Sequence, residues 1–490
     1  MPNKIFDIAI IGGGFTGTIL ALQLLNRHPS IRVGVIDRSS TPGRGLAYGT
    51  KDPNHFLNVP AENMSAFPDE PEHLVRWARD NHDPSLHPGR FLPRAVYGQY
   101  VASLLQAAMA PNRHRFDWLH GQALSLTTKN ELLTLQLEGG GALHARHAVL
   151  ALGNFPPPCL NIPGLSDAST RYAPSAWSRS ALEGLRAKGN ALLIGSGLTS
   201  VDVAISLRAR GFSGAIHIVS RHGLLPQTHC QALAPYPPPV ESLPRTVRLL
   251  LRFIRNAVRL AELEGGDWRS VVDAIRPMTA QIWSSWPQRE RRRFLRHVRP
   301  YWEVHRHRIA PEIGTKLAAM IEQGQVHVYA GRLAAYSEHD NLAEVTFRER
   351  RSGLHRILQV DRVINCAGSE NDCRRTDDPL LASLLAQGLV RPDPLFLGLD
   401  VDGNGALLTS TGHPSPALYA IGPARKGRLW ESVAVPDLRV QAAQLAEHLV
   451  HQIVDVQDSM AEVAGNPGPG STGDAKKLAP GSGGHRVWGP

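Results

Sequence analysis

The chain is 490 residues long, 42% hydrophobic and 20% charged, with a formal net charge of +10, which predicts two or three compact units around sizeable cores. No apolar run approaches the roughly 20 residues that a membrane-spanning helix needs. The densest basic run, Arg289 to Arg308, has no zinc-finger or RNA-binding pattern beside it, so the charge suits an anionic small molecule better than nucleic acid.

In chain order, Met1 to Gly14 ends in a glycine turn rather than a cleavage site and reads as a first buried strand, not a signal peptide. Phe6 to Ile11 predicts that strand, Thr16 to Arg27 a helix, and Ile31 to Ile36 a second strand ending at Asp37. Between strand and helix runs Gly12-Gly13-Gly14-Phe15-Thr16-Gly17. A pyrophosphate can rest on a helix N-terminus only where the chain turns tightly and no Cβ blocks its approach, which assigns Gly12 and Gly14 to the cofactor and Gly17 to close helix packing. Asp37, at the tip of the second strand, would accept both ribose hydroxyls of a dinucleotide's adenosine.

Two segments follow that no packing pattern explains. Gly43 to Thr50 holds too many glycines for a helix, and Leu57 to Pro68 has neither helical nor strand periodicity. Arg44, Met64 and Ser65 are expected to face the flavin, and Asn58 is a candidate catalytic residue, with a loop-stabilising asparagine as the competing reading. Leu132 to Leu137 alternates like a hairpin strand, and His147 to Gly153 reads as a buried parallel strand returning to the sheet. A proline-rich bridge, Phe155 to Pro163, predicts a domain crossing.

The pattern then repeats. Ala191 to Ile194 is an apolar strand, Gly195-Ser196-Gly197-Leu198-Thr199-Ser200 a turn, Ser200 to Arg210 a helix, and Ala215 to Val219 a strand ending at Ser220 and Arg221. A hydroxyl and a guanidinium in place of an acid favour the 2′-phosphate of NADPH over NADH. Ala343 to Phe347 and Asp361 to Gly368 echo the hairpin and the closing strand. Gly195, Gly197, Thr199, Ser200, Ser220, Arg221, Gly153 and Gly368 are thus expected cofactor contacts.

Inside the second unit, an insertion at about 224–311 opens with the loop Pro226 to Pro244 and turns helical over Arg245 to Leu263 and Gln288 to Val298. Its Phe294 to Arg308 stretch combines arginines, His305, His307 and aromatics. A histidine pair at i, i+2 suits no metal on a helix, so no metal is expected. Cys159, Cys230, Cys366 and Cys373 are scattered without a CxxC pair, which speaks against a dithiol enzyme and for a cytoplasmic setting. After the strand Ala417 to Ile421, Gly422 is expected beside the flavin's ribityl chain, and Trp430, with Glu431, beside its ring as a second catalytic candidate. A helix, Pro436 to Val454, and a Gly/Pro/Ser-rich tail expected to be disordered close the chain.

The predicted architecture is α/β: two Rossmann-like dinucleotide-binding domains with three-stranded β crossover layers and a helical insertion. The expected boundaries are 1–155 for the first part of an FAD domain, 156–368 for an NAD(P) domain, 369–456 for the second part of the FAD domain, and 457–490 for the tail.

The blocks GLAYGT (45–50), HFLNVPAENMSAFP (55–68), FLPRAVYGQY (91–100), GSGLTSVDV (195–203), SRHGLLP (220–226), WEVHRHR (302–308) and GRLWESVAVPDLR (427–439) together resemble the bacterial FAD/NAD(P)-binding family. That family is similar in its two-dinucleotide plan to flavin-containing and N-hydroxylating monooxygenases. The resemblance spans roughly residues 5 to 450 and implies FAD and a nicotinamide partner. It implies no particular substrate. Two departures stand out: Tyr172 to Trp177 lacks the histidine of the flavin-monooxygenase pattern, and Gly422-Pro423 stands where a glycine-aspartate pair is usual. Three readings follow. The leading one is a monooxygenase-like enzyme in which NADPH reduces the flavin and dioxygen is used on a small nucleophilic substrate. The others are an NAD(P)H-dependent reductase serving a partner or quinone, and a flavin-bound sensor or assembly factor.

Overall fold

Runs of β-branched and other apolar residues build the centre of each of two sheets, where strands covered on both faces bury every side chain. The computed structural model describes residues 4–166, 168–178, 181–230, 236 and 245–465. The first unit runs β1 (Ile5–Ile11), α1 (Phe15–Arg27), β2 (Val33–Asp37), the single turn α2 (Gly45–Tyr48), α3 (His73–Asn81), α4 (Arg94–Met109), β3 (Phe116–His120), β4 (Ala123–Lys129), β5 (Leu132–Leu137) and β6 (Ala142–Leu150). β1 lies parallel between β2 and β6, and Ile8, Ala9 and Ile10 have no exposed surface. β6 does double duty: its first half pairs antiparallel with β5, while His144 onward pairs parallel with β1. The predicted three-stranded crossover layer is therefore β4, β5 and the start of β6.

The second unit repeats the plan with β7 (Tyr172–Ala173), β8 (Ala191–Ile194), α5 (Leu198–Ala209) and β9 (Ile216–Ser220). The insertion supplies α6 (Val247–Leu263), α7 (Trp268–Ile275), α8 (Thr279–Ser285), α9 (Gln288–His297) and α10 (Arg299–Arg306). α11 (Pro311–Glu322), β10 (Val326–His339), β11 (Leu342–Glu349), β12 (His355–Val360) and β13 (Arg362–Asn365) complete the sheet, in the order β12-β11-β10-β9-β8-β13-β7. β10 is parallel to β9 up to Ala330 and antiparallel to β11 from Gly331, the counterpart of β6.

The chain then returns to the first sheet through α12 (Pro379–Ala386), β14 (Ala406–Leu408), β15 (Pro414–Ala420), α13 (Lys426–Leu429) and α14 (Val435–Gly465), giving the order β14-β15-β6-β1-β2-β3 with the β4–β5 hairpin on β6. α14 packs on α1.

Several elements differ from expectation. Gly43 to Thr50 does contain a helical turn, because only Leu46 to Tyr48 need close it once Gly45 supplies a positive φ of 57°. β3, α3 and α4 were not foreseen. α14 continues to Gly465, past the predicted end at Val454 and into the expected tail, of which 466–490 lies outside the described residues. Most of the Pro226 to Pro244 loop likewise lies outside them. The insertion does not pack on itself alone. Trp283, Trp286, Phe294 and Trp302 share a core with Leu397 and Trp430 of the returning segment.

Candidate functional site

At the first turn, Gly12 takes φ 105° and backs so tightly onto the end of β6 that a Cβ would lie 2.3 Å from the Ala151 carbonyl oxygen. A Cβ on Gly17 would stand 1.9 Å from the Gly12 oxygen, so only glycine lets α1 meet β1 this closely. Gly14 caps α1 with no side-chain hydrogen bond, which leaves the amides of the first helical turn for a ligand. Asp37 ends β2 and is 8% exposed. One carboxylate oxygen accepts from the Ser39 N–H at 3.3 Å, and the other, Oδ2, is buried without a partner. Burial raises its pKa above the usual carboxylate range. A buried acceptor lacking a donor fits the adenosine ribose of a dinucleotide. Trp118 of β3, missed in the sequence, lies against this turn: its ring is 2.2 Å from where a Gly13 Cβ would be, and its Nε1–H is also unpartnered.

The second turn repeats the geometry. Gly195 has φ 104°, and a Cβ there would lie 2.8 Å from the Cys366 oxygen at the end of β13. Gly197 caps α5 and faces open space. Ser200, in the position of Gly17, is fully buried and donates its hydroxyl to the Gly197 carbonyl at 2.7 Å, which is how a serine fits the close-packing position. The Ser220 hydroxyl is engaged within the loop, accepting from Ser196 Oγ at 2.8 Å and from the Gly223 N–H at 3.0 Å. The Arg221 guanidinium makes no hydrogen bond or ion pair among the described residues.

A cleft of about 1420 Å³ opens over this turn, bounded by Gly195, Gly197, Thr199, Arg221 and Gly368 on one side and by α10 on the other. That is ample for a dinucleotide. Within it Glu303 faces His307 at 3.5 Å, and Lys426 lies close by, its pKa lowered by burial against the opposing pull of Glu303. The two histidines of the WEVHRHR block point apart. His305 stacks edge-on against Trp268 at 4.7 Å, while His307 lines the cleft.

Other expected residues are placed as follows. Gly45 packs against Gly14, a Cβ on it falling 3.1 Å from the Gly14 Cα, so Arg44 sits beside the first turn. Met64 is core, 3% exposed, and the Ser65 hydroxyl donates to the Glu70 carbonyl at 2.6 Å. Gly153 follows β6 with φ 69°, and a Cβ on it would meet no neighbour. Gly422, φ 79°, sits beside Thr16 of α1. Asn58 lies where the first unit meets the start of the insertion: its carbonyl is 3.0 Å from His229 Nε2, and no partner holds its amide among the described residues. Trp430, the second catalytic candidate, is packed among aromatic side chains. It has φ 62°, is 4% exposed, and stands 4.9 Å from the Trp283 ring and 5.1 Å from Phe294, so it anchors the insertion. Its neighbour Glu431 accepts from Trp302 Nε1 at 3.2 Å and pairs with Arg306 at 3.3 Å.

Two of the early sequence blocks serve the junction of the two folds. Arg94 pairs with Asp202 of α5 at 2.8 Å, and His55 Nε2 lies 2.9 Å from Ser206 Oγ.

A family model described as FAD-NAD(P)-binding matches residues 9–155. No curated protein sequence matches the chain. Among solved structures, L-lysine 6-monooxygenase from Pseudomonas syringae is similar with a TM-score of 0.65 at 17% identity, covering 91% of this chain and 100% of its own. The ornithine N-hydroxylase of Kutzneria sp. 744, with reduced FAD, NADP+ and L-ornithine, has a TM-score of 0.60 at 13% identity, covering 92% and 100%. Thioredoxin reductase from Lactococcus lactis reaches 0.52 at 12% identity, covering 92% and 99%. These likenesses establish the α/β fold with two Rossmann-like units. No helix among the described residues is long and apolar enough to cross a membrane.

Proposed function

We propose that this protein is an FAD-dependent oxidoreductase that takes hydride from NADPH and oxygenates a small molecule. One observation carries the reading. Two helix-heading glycine turns open from neighbouring folds, one ending in a buried carboxylate oxygen without a donor, the other in a guanidinium without an acid. FAD, when bound, supplies hydride acceptance and oxygen chemistry. The chain would hold it through the tight turn at Gly12, the amides of Gly14 and Gly17, the Asp37 carboxylate, and the main chain around Arg44, Met64, Ser65, Gly153 and Gly422. Gly195, Gly197, Thr199, Ser200 and Gly368 would cradle the NADPH pyrophosphate, with Ser220 bracing the loop that presents Arg221. Asn58 is the residue we assign to the reacting end, because its amide is uncommitted where the parts meet.

Thiol chemistry fits less well. Cys366 and Cys373 are both buried, and burial pushes the thiol of Cys373 up to about 11 and that of Cys366 further, so neither offers a thiolate near neutral pH. The oxygenase reading draws support from the lysine and ornithine hydroxylases named above, which share the architecture over nearly the whole chain. It is tested on purified FAD-loaded protein. NADPH should bleach the flavin absorption without oxygen, and air should then restore it with formation of an oxygenated product from a panel of amines and carbonyl compounds. Bleaching and reoxidation without product in any panel member would make it a reductase. Failure of both NADPH and NADH to bleach the flavin would remove the enzyme altogether.

A further inference from the structure

The cleft over the second turn carries more positive charge than one arginine after a strand provides. Arg299 from α10 and Arg332 and Arg348 from the β10–β11 pair line it together with Arg221. We propose that Arg299 and Arg332 join Arg221 in a three-guanidinium clamp for the 2′-phosphate of NADPH, so that the helical insertion, outside both nucleotide folds, selects the phosphorylated coenzyme. The inference rests on the two-dinucleotide reading and deepens it.

The placement follows from register. Ser220 pairs with Ala330, so Arg221 leaves the end of β9 beside Gly331, and Arg332 rises from the neighbouring strand. Arg299 begins α10 across the cleft and is steadied from one turn away by Glu303 at 3.4 Å. The groups are within electrostatic reach: after burial, Arg299 and then Arg332 lower the basicity of Arg221.

The charges also fail to balance without an anion. Arg332 stands directly opposite Arg348 in the antiparallel ladder, an arrangement that costs stability unless something negative lies between. Two carboxylates line the cleft, and both are committed: Glu303 to Arg299 and His307, Glu349 to Arg356 and Ser352. Arg221 and Arg332 are left with no acid among the described residues. A phosphate monoester, with about −1.5 to −2 charge and three acceptor oxygens, answers both features.

The test uses the FAD-loaded full chain and two adenosine ligands, 2′,5′-ADP and 5′-AMP, titrated by calorimetry. The chain should prefer 2′,5′-ADP by at least about tenfold, the discrimination of one charge-assisted contact. Arg299→Gln and Arg332→Gln should each remove about tenfold of 2′,5′-ADP affinity and leave 5′-AMP within about twofold, and Arg299→Lys should recover part of the loss. Arg332→Gln also relieves the Arg332–Arg348 repulsion, so its melting temperature before ligand is added should not fall, which separates a lost contact from a lost fold. Equal losses for both ligands, or no loss for 2′,5′-ADP, would overturn the clamp. A chain that takes up FAD and prefers 5′-AMP equally would overturn it too, with the two-dinucleotide reading intact; a chain that binds neither FAD nor either adenosine ligand ends both.

Discussion

Asp37 keeps one carboxylate oxygen unsatisfied in the fold, as the proposed ribose contact requires. Its Oδ2 has no donor, so removing it costs the empty protein little and the loaded protein much. Asp37→Ala should weaken FAD by about 10- to 100-fold, since a hydrogen bond to a charged group is worth about 1.5–3 kcal/mol. The apoprotein should melt no lower than the parent. Fluorescence titration of FAD and a thermal melt check the two halves, and an apoprotein that melts much lower would mean that the carboxylate is structural. Asp37 was legible because strand, turn and terminal acid are neighbours in sequence. Trp118 was not: it sits in Phe116–His120, a strand too short and too polar to announce itself, and only the parallel pairing of β3 with β2 brings it to the Gly13 turn. Arg332 hid for a similar reason, in the middle of a long strand whose role changes at Gly331.

Among elements, the junction of α4 and α5 rests on a largely buried ion pair, Arg94 with Asp202. Burial raises the Asp202 carboxylate while Arg94 pulls it down, so the pair holds a charge that the site alone would reject. Removing one partner strands the other. Arg94→Met should cost about 3–5 kcal/mol, and the double change Arg94→Met with Asp202→Leu should recover most of it. Urea unfolding measures both, and a double variant as weak as the single one would locate the damage elsewhere. The βαβ units were readable because each closes through contacts local in sequence, and their repeat confirmed the reading. The docking of the insertion was not readable: Trp283 donates to the Gly427 carbonyl at 2.8 Å across 144 positions of chain, and no periodicity in either helix encodes that partner. The same contact helps seat Trp430 in the aromatic core shared with the insertion.

For the molecule as a whole, pH acts through histidines held neutral. Burial, with His327 stacked at 5.3 Å, brings His217 down to about 4, and burial, with Arg308 nearby, does the same to His229. The unfolded chain takes up protons below the ordinary value of 6.5 and the folded chain does not, so stability is full above that pH and declines as the pH falls toward 4. Two such groups give a limiting slope of about 2.7 kcal/mol per pH unit. Melting temperatures between pH 7 and pH 4.5 should fall accordingly, and His229→Gln should flatten the decline. A profile flat to pH 4.5 would mean that both rings are protonated in the fold. The insertion brings a different consequence. Its two ends leave the second fold side by side, joined at the Thr228–Ile309 bridge, yet it buries its tryptophans against the first, so it works as a strut across the seam. Swinging one nucleotide fold away from the other would tear those indoles into water at about 1.5–3 kcal/mol each. On the proposed function, the nicotinamide would reach the flavin by the coenzyme flexing inside a braced frame, and turnover should tolerate a covalent staple across the seam.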